Sequence, residues 1–171
     1  IEGSNFTGNK GMSGLFQTGG GGAIYSASAN DGKLYISNSS FDMNEAIYQG
    51  GAIFITRTSH LVAIDNTSFT NNTAGYTGGG IYSEGGYWTK LRRITLDNNM
   101  ATVWSGGGIF LEKGDVTISE SKITNNTAGD EGGGISLGGG VLNTFDSNIQ
   151  VLHSELSGNS ANIGGGIYSS H

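Results

Sequence analysis

Apolar and polar positions alternate over short runs along the chain, and the runs return in phase. Leu34-Tyr35-Ile36-Ser37-Asn38, Leu61-Val62-Ala63-Ile64-Asp65, Asp115-Val116-Thr117-Ile118-Ser119 and Gln150-Val151-Leu152-His153 all show a two-residue period rich in β-branched side chains. That period reads as a half-buried strand. No stretch carries a helical period. After each run comes an apolar residue with a polar one three positions on: Phe6 and Asn9, Phe41 and Asn44, Phe69 and Asn72, Leu96 and Asn99, Ile123 and Asn126, Leu156 and Asn159.

Between these elements lie six glycine blocks: Gly21-Gly22-Ala23-Ile24-Tyr25, Gly50-Gly51-Ala52-Ile53-Phe54, Gly78-Gly79-Gly80-Ile81-Tyr82, Gly106-Gly107-Gly108-Ile109-Phe110, Gly132-Gly133-Gly134-Ile135-Ser136 and Gly164-Gly165-Gly166-Ile167-Tyr168. Their isoleucines are 29, 28, 28, 26 and 32 residues apart. A period in this range marks a repeat array. Each unit reads as three short strands joined by turns, such as Glu112-Lys113-Gly114 and Thr127-Ala128-Gly129-Asp130.

About 27 residues with three strands make one coil of a right-handed parallel β-helix, stacked on its neighbours at about 4.8 Å. The fold expected is therefore all-β: one solenoid segment over residues 1–171, of about six coils and roughly 25–30 Å long. Three inward ladders follow: Ile24, Ile53, Ile81, Ile109, Ile135 and Ile167; Phe6, Phe41, Phe69, Leu96, Ile123 and Leu156; and Ile36, Ile64, Leu91, Ile118 and Val151. A coil cannot bury its apolar face alone, and its neighbours complete it. The asparagines fall at corners, where they would take the left-handed backbone and pair with the amide of the next coil. Gly11–Thr18 with Ser26–Gly32, and Gly138–Asn148, lengthen the first and last coils and are expected to be corner loops.

Composition narrows the picture. The chain has 32 glycines but no proline, which excludes collagen, and no cysteine, which excludes disulfides and thiolate chemistry. Net charge is −6, with eight scattered cations, so no nucleic-acid partner is expected. No transmembrane run and no starting methionine are present. The expectation is a window of a longer chain, with further β-helix coils or subunits against both ends.

The Gly-Gly-Ala-Ile blocks at Gly21–Ile24 and Gly50–Ile53, in phase with the Phe-x-x-Asn elements at Phe6–Asn9, Phe41–Asn44 and Phe69–Asn72, resemble the repeats of chlamydial polymorphic outer membrane proteins. Two motifs in phase over six units look like a right-handed parallel β-helix of the pectate-lyase-like type. The resemblance implies a secreted or surface-displayed passenger, often an adhesin. This chain departs from the pattern at Gly80, Gly108, Gly134 and Gly166, where alanine is usual, and at Leu96, Ile123 and Leu156, where phenylalanine is usual.

Several groups are candidates for function. Tyr25, Phe54, Tyr82, Phe110 and Tyr168 form an aromatic column, interrupted by Ser136, which alternation sends outward if the isoleucines point inward. Such rings suit a carbohydrate or a surface protein; the alternatives are rings that only shield the sheet or belong to the core. Arg93 with Glu120, Lys122 with Glu155, and Asp65 with Arg92 should be neighbours on adjacent coils. Asp42 and Asp97 share a column with Thr70 between them, too far apart for paired hydrolytic carboxylates. Asp130-Glu131 is a turn pair that could touch calcium. The histidines at 60, 153 and 171 lie in different registers, so neither a metal site nor a cofactor is expected. Asn5, Asn38, Asn66, Asn71 and Asn125 carry the N-glycosylation sequon. The function expected is that of an extracellular or cell-surface structural or adhesive rod without catalysis. The alternatives are a polysaccharide lyase or hydrolase of the same fold, and a stacking module of an extracellular filament.

Overall fold

The computed structural model describes residues 1–12, 20–27, 32–56, 59–84, 88–138 and 148–170. Every strand pairing is parallel, and strands far apart in sequence pair in order, which is the topology of a right-handed solenoid. The chain visits four sheets in turn. The anchor sheet holds Asn5–Thr7, Ser40–Asp42, Ser68–Thr70, Thr95–Asp97, Lys122–Thr124 and Glu155–Ser157. The short sheet holds Lys10–Gly11, Glu45–Ala46, Thr73–Ala74, Met100–Ala101 and Thr127–Ala128. The isoleucine sheet holds Ile24–Ser26, Ile53–Ile55, Ile81–Ser83, Ile109–Leu111, Ile135–Leu137 and Ile167–Ser169. The long sheet holds Gly32–Ser37, Ser59–Asp65, Trp88–Arg92, Asp115–Ser119 and Ile149–Leu152.

Each of the first five coils thus has four strands where the sequence pattern predicts three, and the last has an anchor strand and an isoleucine-sheet strand. The added one is a two-residue strand directly after the ladder asparagine. Two residues are too few to show alternation, so Thr127-Ala128 reads as a turn. What holds the strand is its alanine: Ala46, Ala74, Ala101 and Ala128 are buried and stack in register.

The three apolar ladders stack as the pattern predicts. Ile53, Ile81, Ile109 and Ile135 pair in register, as do Phe41, Phe69, Leu96 and Ile123, and Ile36, Ile64, Leu91 and Ile118; all lie in one continuous core. Phe6, Phe41 and Phe69 stack with centroids 4.7 and 4.9 Å apart and planes within 8°. Full burial of each such side chain stabilises by about 1.5–3 kcal/mol.

The asparagines form a polar ladder inside this core. Asn44, Asn72, Asn99 and Asn126 are at most 1% exposed. Each Oδ1 accepts two hydrogen bonds from the preceding coil's asparagine, one from its backbone N–H at 3.0 Å and one from its Nδ2 at 2.9 Å. The second Nδ2 proton goes back to the apolar anchor's carbonyl: Asn72 to Phe41, Asn99 to Phe69, both at 3.0 Å, and Asn126 to Leu96 at 2.9 Å. Both amide protons and both lone pairs are used, so these buried amides carry no desolvation deficit.

The left-handed corner is not at these asparagines but one residue earlier. Met43, Asn71, Asn98 and Asn125 have φ between 53° and 56°, with Gly8 and Gly158 in the same place at 66° and 65°. Turning that residue left-handed lets the next side chain point inward. A second polar ladder, absent from the sequence reading, lines the corner before the anchor sheet. Ser39, Thr67 and Ser121 are buried, and each hydroxyl donates to the carbonyl two residues back, at 2.6–2.8 Å. Ile94 takes this position in its own coil, and its N–H donates to Ser121 Oγ at 3.1 Å.

The glycine blocks mark where coils touch backbone to backbone. A Cβ on Gly79 would lie 2.2 Å from the carbonyl oxygen of Gly107 in the next coil and 2.5 Å from Met100 carbonyl carbon, so no side chain fits.

Candidate interaction surfaces

On the isoleucine sheet, alternation puts Ile53 and Ile55 in the main core and Phe54 on the opposite side. The aromatic column runs there as predicted: Tyr25, Phe54, Tyr82 and Phe110 stack at 5.1, 5.0 and 5.3 Å with planes within 6°. Pointing away from the core does not expose it, however. Phe54, Tyr82 and Phe110 form a second buried apolar cluster, while Tyr25 is 53% exposed. Gly20 packs directly against Phe54: a Cβ there would lie 2.5 Å from Cδ2. The Tyr82 hydroxyl donates to Glu112 Oε2 at 3.3 Å. Ser136 interrupts the column, buried, with no partner for Oγ. Tyr168 resumes it, half-buried, and its phenol is raised above the ordinary tyrosine pKa by the hydrogen bond to Glu131. Of the five rings, Tyr25 and Tyr168 alone offer substantial surface to a ligand.

A second aromatic column stands at the corner between the short and isoleucine sheets. Tyr48 and Tyr76 stack at 5.4 Å with planes 25° apart, and Trp104 meets Tyr76 edge-on at 5.0 Å and 72°. Trp104 is 51% exposed, its neighbours Val103 and Met100 are 47% and 41% exposed, and Ile47, beside Tyr48, is 42% exposed. Sequence reasoning missed this column, although its signal is present: an aromatic residue two positions before the block in Tyr48-Gln49-Gly50, Tyr76-Thr77-Gly78 and Trp104-Ser105-Gly106, replaced by Asp130 in the next coil.

The outer face of the long sheet carries charge. Register sets Arg92 beside Asp65, as predicted, but the ion pairs run diagonally: Arg93 Nη2 to Asp65 Oδ2, and Arg92 Nε to Glu120 Oε1 at 3.3 Å. Arg93 and Glu120 sit at left-handed corners, φ 50° and 52°, which take both side chains off the strand alternation. With side chains about half exposed, such pairs contribute roughly 0–1 kcal/mol. Lys122 lies in register with Glu155, whose Oε1 accepts from Ser157 Oγ. Between the bulkier Tyr35 and Lys90, Ala63 leaves an open groove of about 350 Å³, also lined by Asp65 and Arg92.

The column of Asp42, Thr70, Asp97 and Thr124 alternates carboxylate and hydroxyl. Thr70 and Asn71 donate to Asp42 Oδ1 at 2.7 and 2.9 Å and hold its carboxyl below the usual carboxylate range. Thr124 and Asn125 donate to Asp97 Oδ1 at 2.6 and 2.8 Å. These carboxylates are occupied in cross-coil hydrogen bonds. Among the described residues no three His, Cys, Asp or Glu side chains come together as a metal-holding group. His153 is exposed at a left-handed corner. The side chain of His60, residue 171, and most of both predicted corner loops lie outside the described residues.

Asn5, Asn38, Asn66, Asn71 and Asn125 are all exposed, and the last four have left-handed backbone, φ 45–56°. Their amides already bridge coils, as where Asn66 Nδ2 donates to Asn38 Oδ1 at 2.8 Å.

With this geometry in view, comparison with known proteins gives one likeness. A family model, the Chlamydia polymorphic membrane protein repeat, matches residues 3–27 and 66–84. Both matches span an anchor strand, its ladder asparagine and a glycine block, the elements that build a coil. No curated protein matches the chain. No solved structure matches it. No helix among the described residues is long and apolar enough to cross a membrane. The chain is an all-β parallel solenoid, similar over two short segments to the Chlamydia polymorphic membrane protein repeat.

Proposed function

We propose that this chain is a non-catalytic structural and adhesive rod of a cell surface or extracellular space. The observation that carries the reading is the unbroken asparagine ladder within stacked apolar ladders, which makes the coils one stiff body with most chemistry spent on cohesion. The carboxylates a hydrolase would need in convergence are instead held in cross-coil hydrogen bonds and ion pairs. The repeat likeness supports a surface location, since it is to a membrane-protein repeat. Tyr25, Tyr168, the corner column and the long-sheet groove are the surfaces left for a carbohydrate or protein partner, and the five exposed sequon asparagines are open to glycans.

The test is to immobilise the chain and present arrayed glycans and extracellular-matrix proteins, following retention and product release together. Retention without new reducing or unsaturated chain ends is the expected result. Release of such ends, abolished by Asp65→Asn or Arg92→Ala, would replace this reading with the enzyme. Concentration-dependent end-to-end growth as the chain's only association would replace it with the filament.

A further inference from the structure

The corner column is built differently from the rest of the solenoid. Two steps separate the buried alanine from the ring in Ala46-Ile47-Tyr48 and Ala74-Gly75-Tyr76, and also from the residue that follows in Ala128-Gly129-Asp130. In Ala101-Thr102-Val103-Trp104 there are three. The extra residue is a bulge, a device that bends a strand and re-aims a side chain. Its effects are visible. The Tyr48 and Tyr76 planes differ by 25°, but Trp104 turns 72° out of the stack and leaves half its surface in solvent. The next coil closes on this corner as Gly75 closes on the Ile47 carbonyl: a Cβ on Gly129 would lie 2.6 Å from the Thr102 carbonyl oxygen and 2.5 Å from that of Val103. Next along the column stands Asp130, exposed, whose N–H donates to the Trp104 carbonyl at 2.9 Å, followed by Glu131. Lys10, at the far end of the short sheet, is engaged by Glu45 at 2.8 Å.

We infer that this corner is a docking site for a cationic side chain of a partner protein, an arginine or lysine seated on Trp104 with Asp130 as counter-ion. The inference rests on the adhesive reading and names its partner's chemistry. An exposed indole is the strongest of the aromatic faces for a cation. Trp, Tyr and Arg dominate the energetic centres of protein interfaces. The charge balance points the same way. The chain is at −6, and Trp104 is followed in the column by Asp130, with Glu131 next to it in the chain. An acidic partner would meet Asp130 and Glu131 head-on.

The experiment titrates the chain with an oligo-arginine peptide by calorimetry, with an oligo-glutamate peptide of equal length as the opposite-charge probe. Trp104→Ala is expected to weaken oligo-arginine binding about three- to thirtyfold, with Trp104→Phe between the two. Asp130→Asn should weaken it more than Glu155→Gln, which makes the same charge change on another face. Equal affinity for Trp104→Ala and the unsubstituted chain would overturn the site, and so would equal losses for Asp130→Asn and Glu155→Gln, the mark of diffuse attraction. Retention on a partner array with an unresponsive Trp104 would sink the corner and leave the adhesive reading intact. Polysaccharide turnover would sink the adhesive reading, with the corner still judged by calorimetry.

Discussion

Replacing Asn99 by alanine probes the link between sequence repeat and rigidity. Asn99 lies mid-ladder and is 1% exposed. The alanine leaves the Asn72 N–H and one Asn72 Nδ2 proton without their acceptor, and the Phe69 carbonyl without its donor. Asn126 Oδ1 keeps one donor, the backbone N–H of residue 99. Each orphaned buried group costs about 1–3 kcal/mol. The two orphaned donors give about 2–6 kcal/mol, before any cavity term. Asn9 is the internal control, because it is exposed at the ladder's first position and only donates, to Asn44 Oδ1. Asn44 Oδ1 keeps the backbone N–H of residue 9, and water at this exposed position replaces the lost Nδ2 donor, so Asn9→Ala should cost about 1 kcal/mol or less. Urea unfolding followed by far-UV circular dichroism measures both. A difference under about 1 kcal/mol between the two variants would refute the argument that ladder saturation holds the coils, since that difference is no larger than one ordinary hydrogen bond.

Other outcomes follow from the same geometry. Gly79→Ala should destabilise by about 1–3 kcal/mol or more through overpacking, while Gly166→Ala, where a Cβ meets nothing within 4 Å, should be nearly silent in the same unfolding assay. Phe54→Ala should cost about 3–5 kcal/mol as a buried aromatic truncation, whereas Trp104→Ala, at 51% exposure, should cost far less; similar losses would contradict the distinction between packed and presented columns. Asp42 has a folded-state pKa below its unfolded value, so its contribution is present above the unfolded pKa near 3.8 and disappears as pH falls through the folded one. Asp42→Asn should therefore flatten the acid limb of a Tm-against-pH curve below about pH 4, and an unchanged limb would count against the cross-coil hydrogen bonds. If the five sequons carry glycans, peptides of protein from its native source should carry added sugar mass at the exposed asparagines, removed by deglycosylation.

The fold was legible because a solenoid writes its geometry into the chain once per coil. The register of Ile53 on Ile81 or Phe41 on Phe69 is the sequence period itself. What escaped were features without a hydrophobic period. The two-residue strands such as Thr73–Ala74 are too short to alternate. The left-handed residue could not be placed from Asn71-Asn72 alone, since both are asparagines, and only packing decides that Asn72 turns inward. The serine and threonine ladder was hidden by Ile94 in its midst. For the candidate sites the limit was different. Alternation gives the side of a sheet a ring is on, but not whether that side is covered, so it left open whether Phe54, Tyr82 and Phe110 are presented or packed, and the structure packs them. The Trp104 bulge was readable as one extra residue between alanine and ring, but only once the short strand was known to exist.

The measurement that bears most directly on the rod is hydrogen exchange of the asparagine side-chain amides by nuclear magnetic resonance. The account predicts that the Nδ2 protons of Asn44, Asn72, Asn99 and Asn126, each donated across the coils, exchange as slowly as core backbone amides, while that of Asn9 at the exposed first position exchanges far faster. Free-amide exchange rates at all of these positions would contradict it.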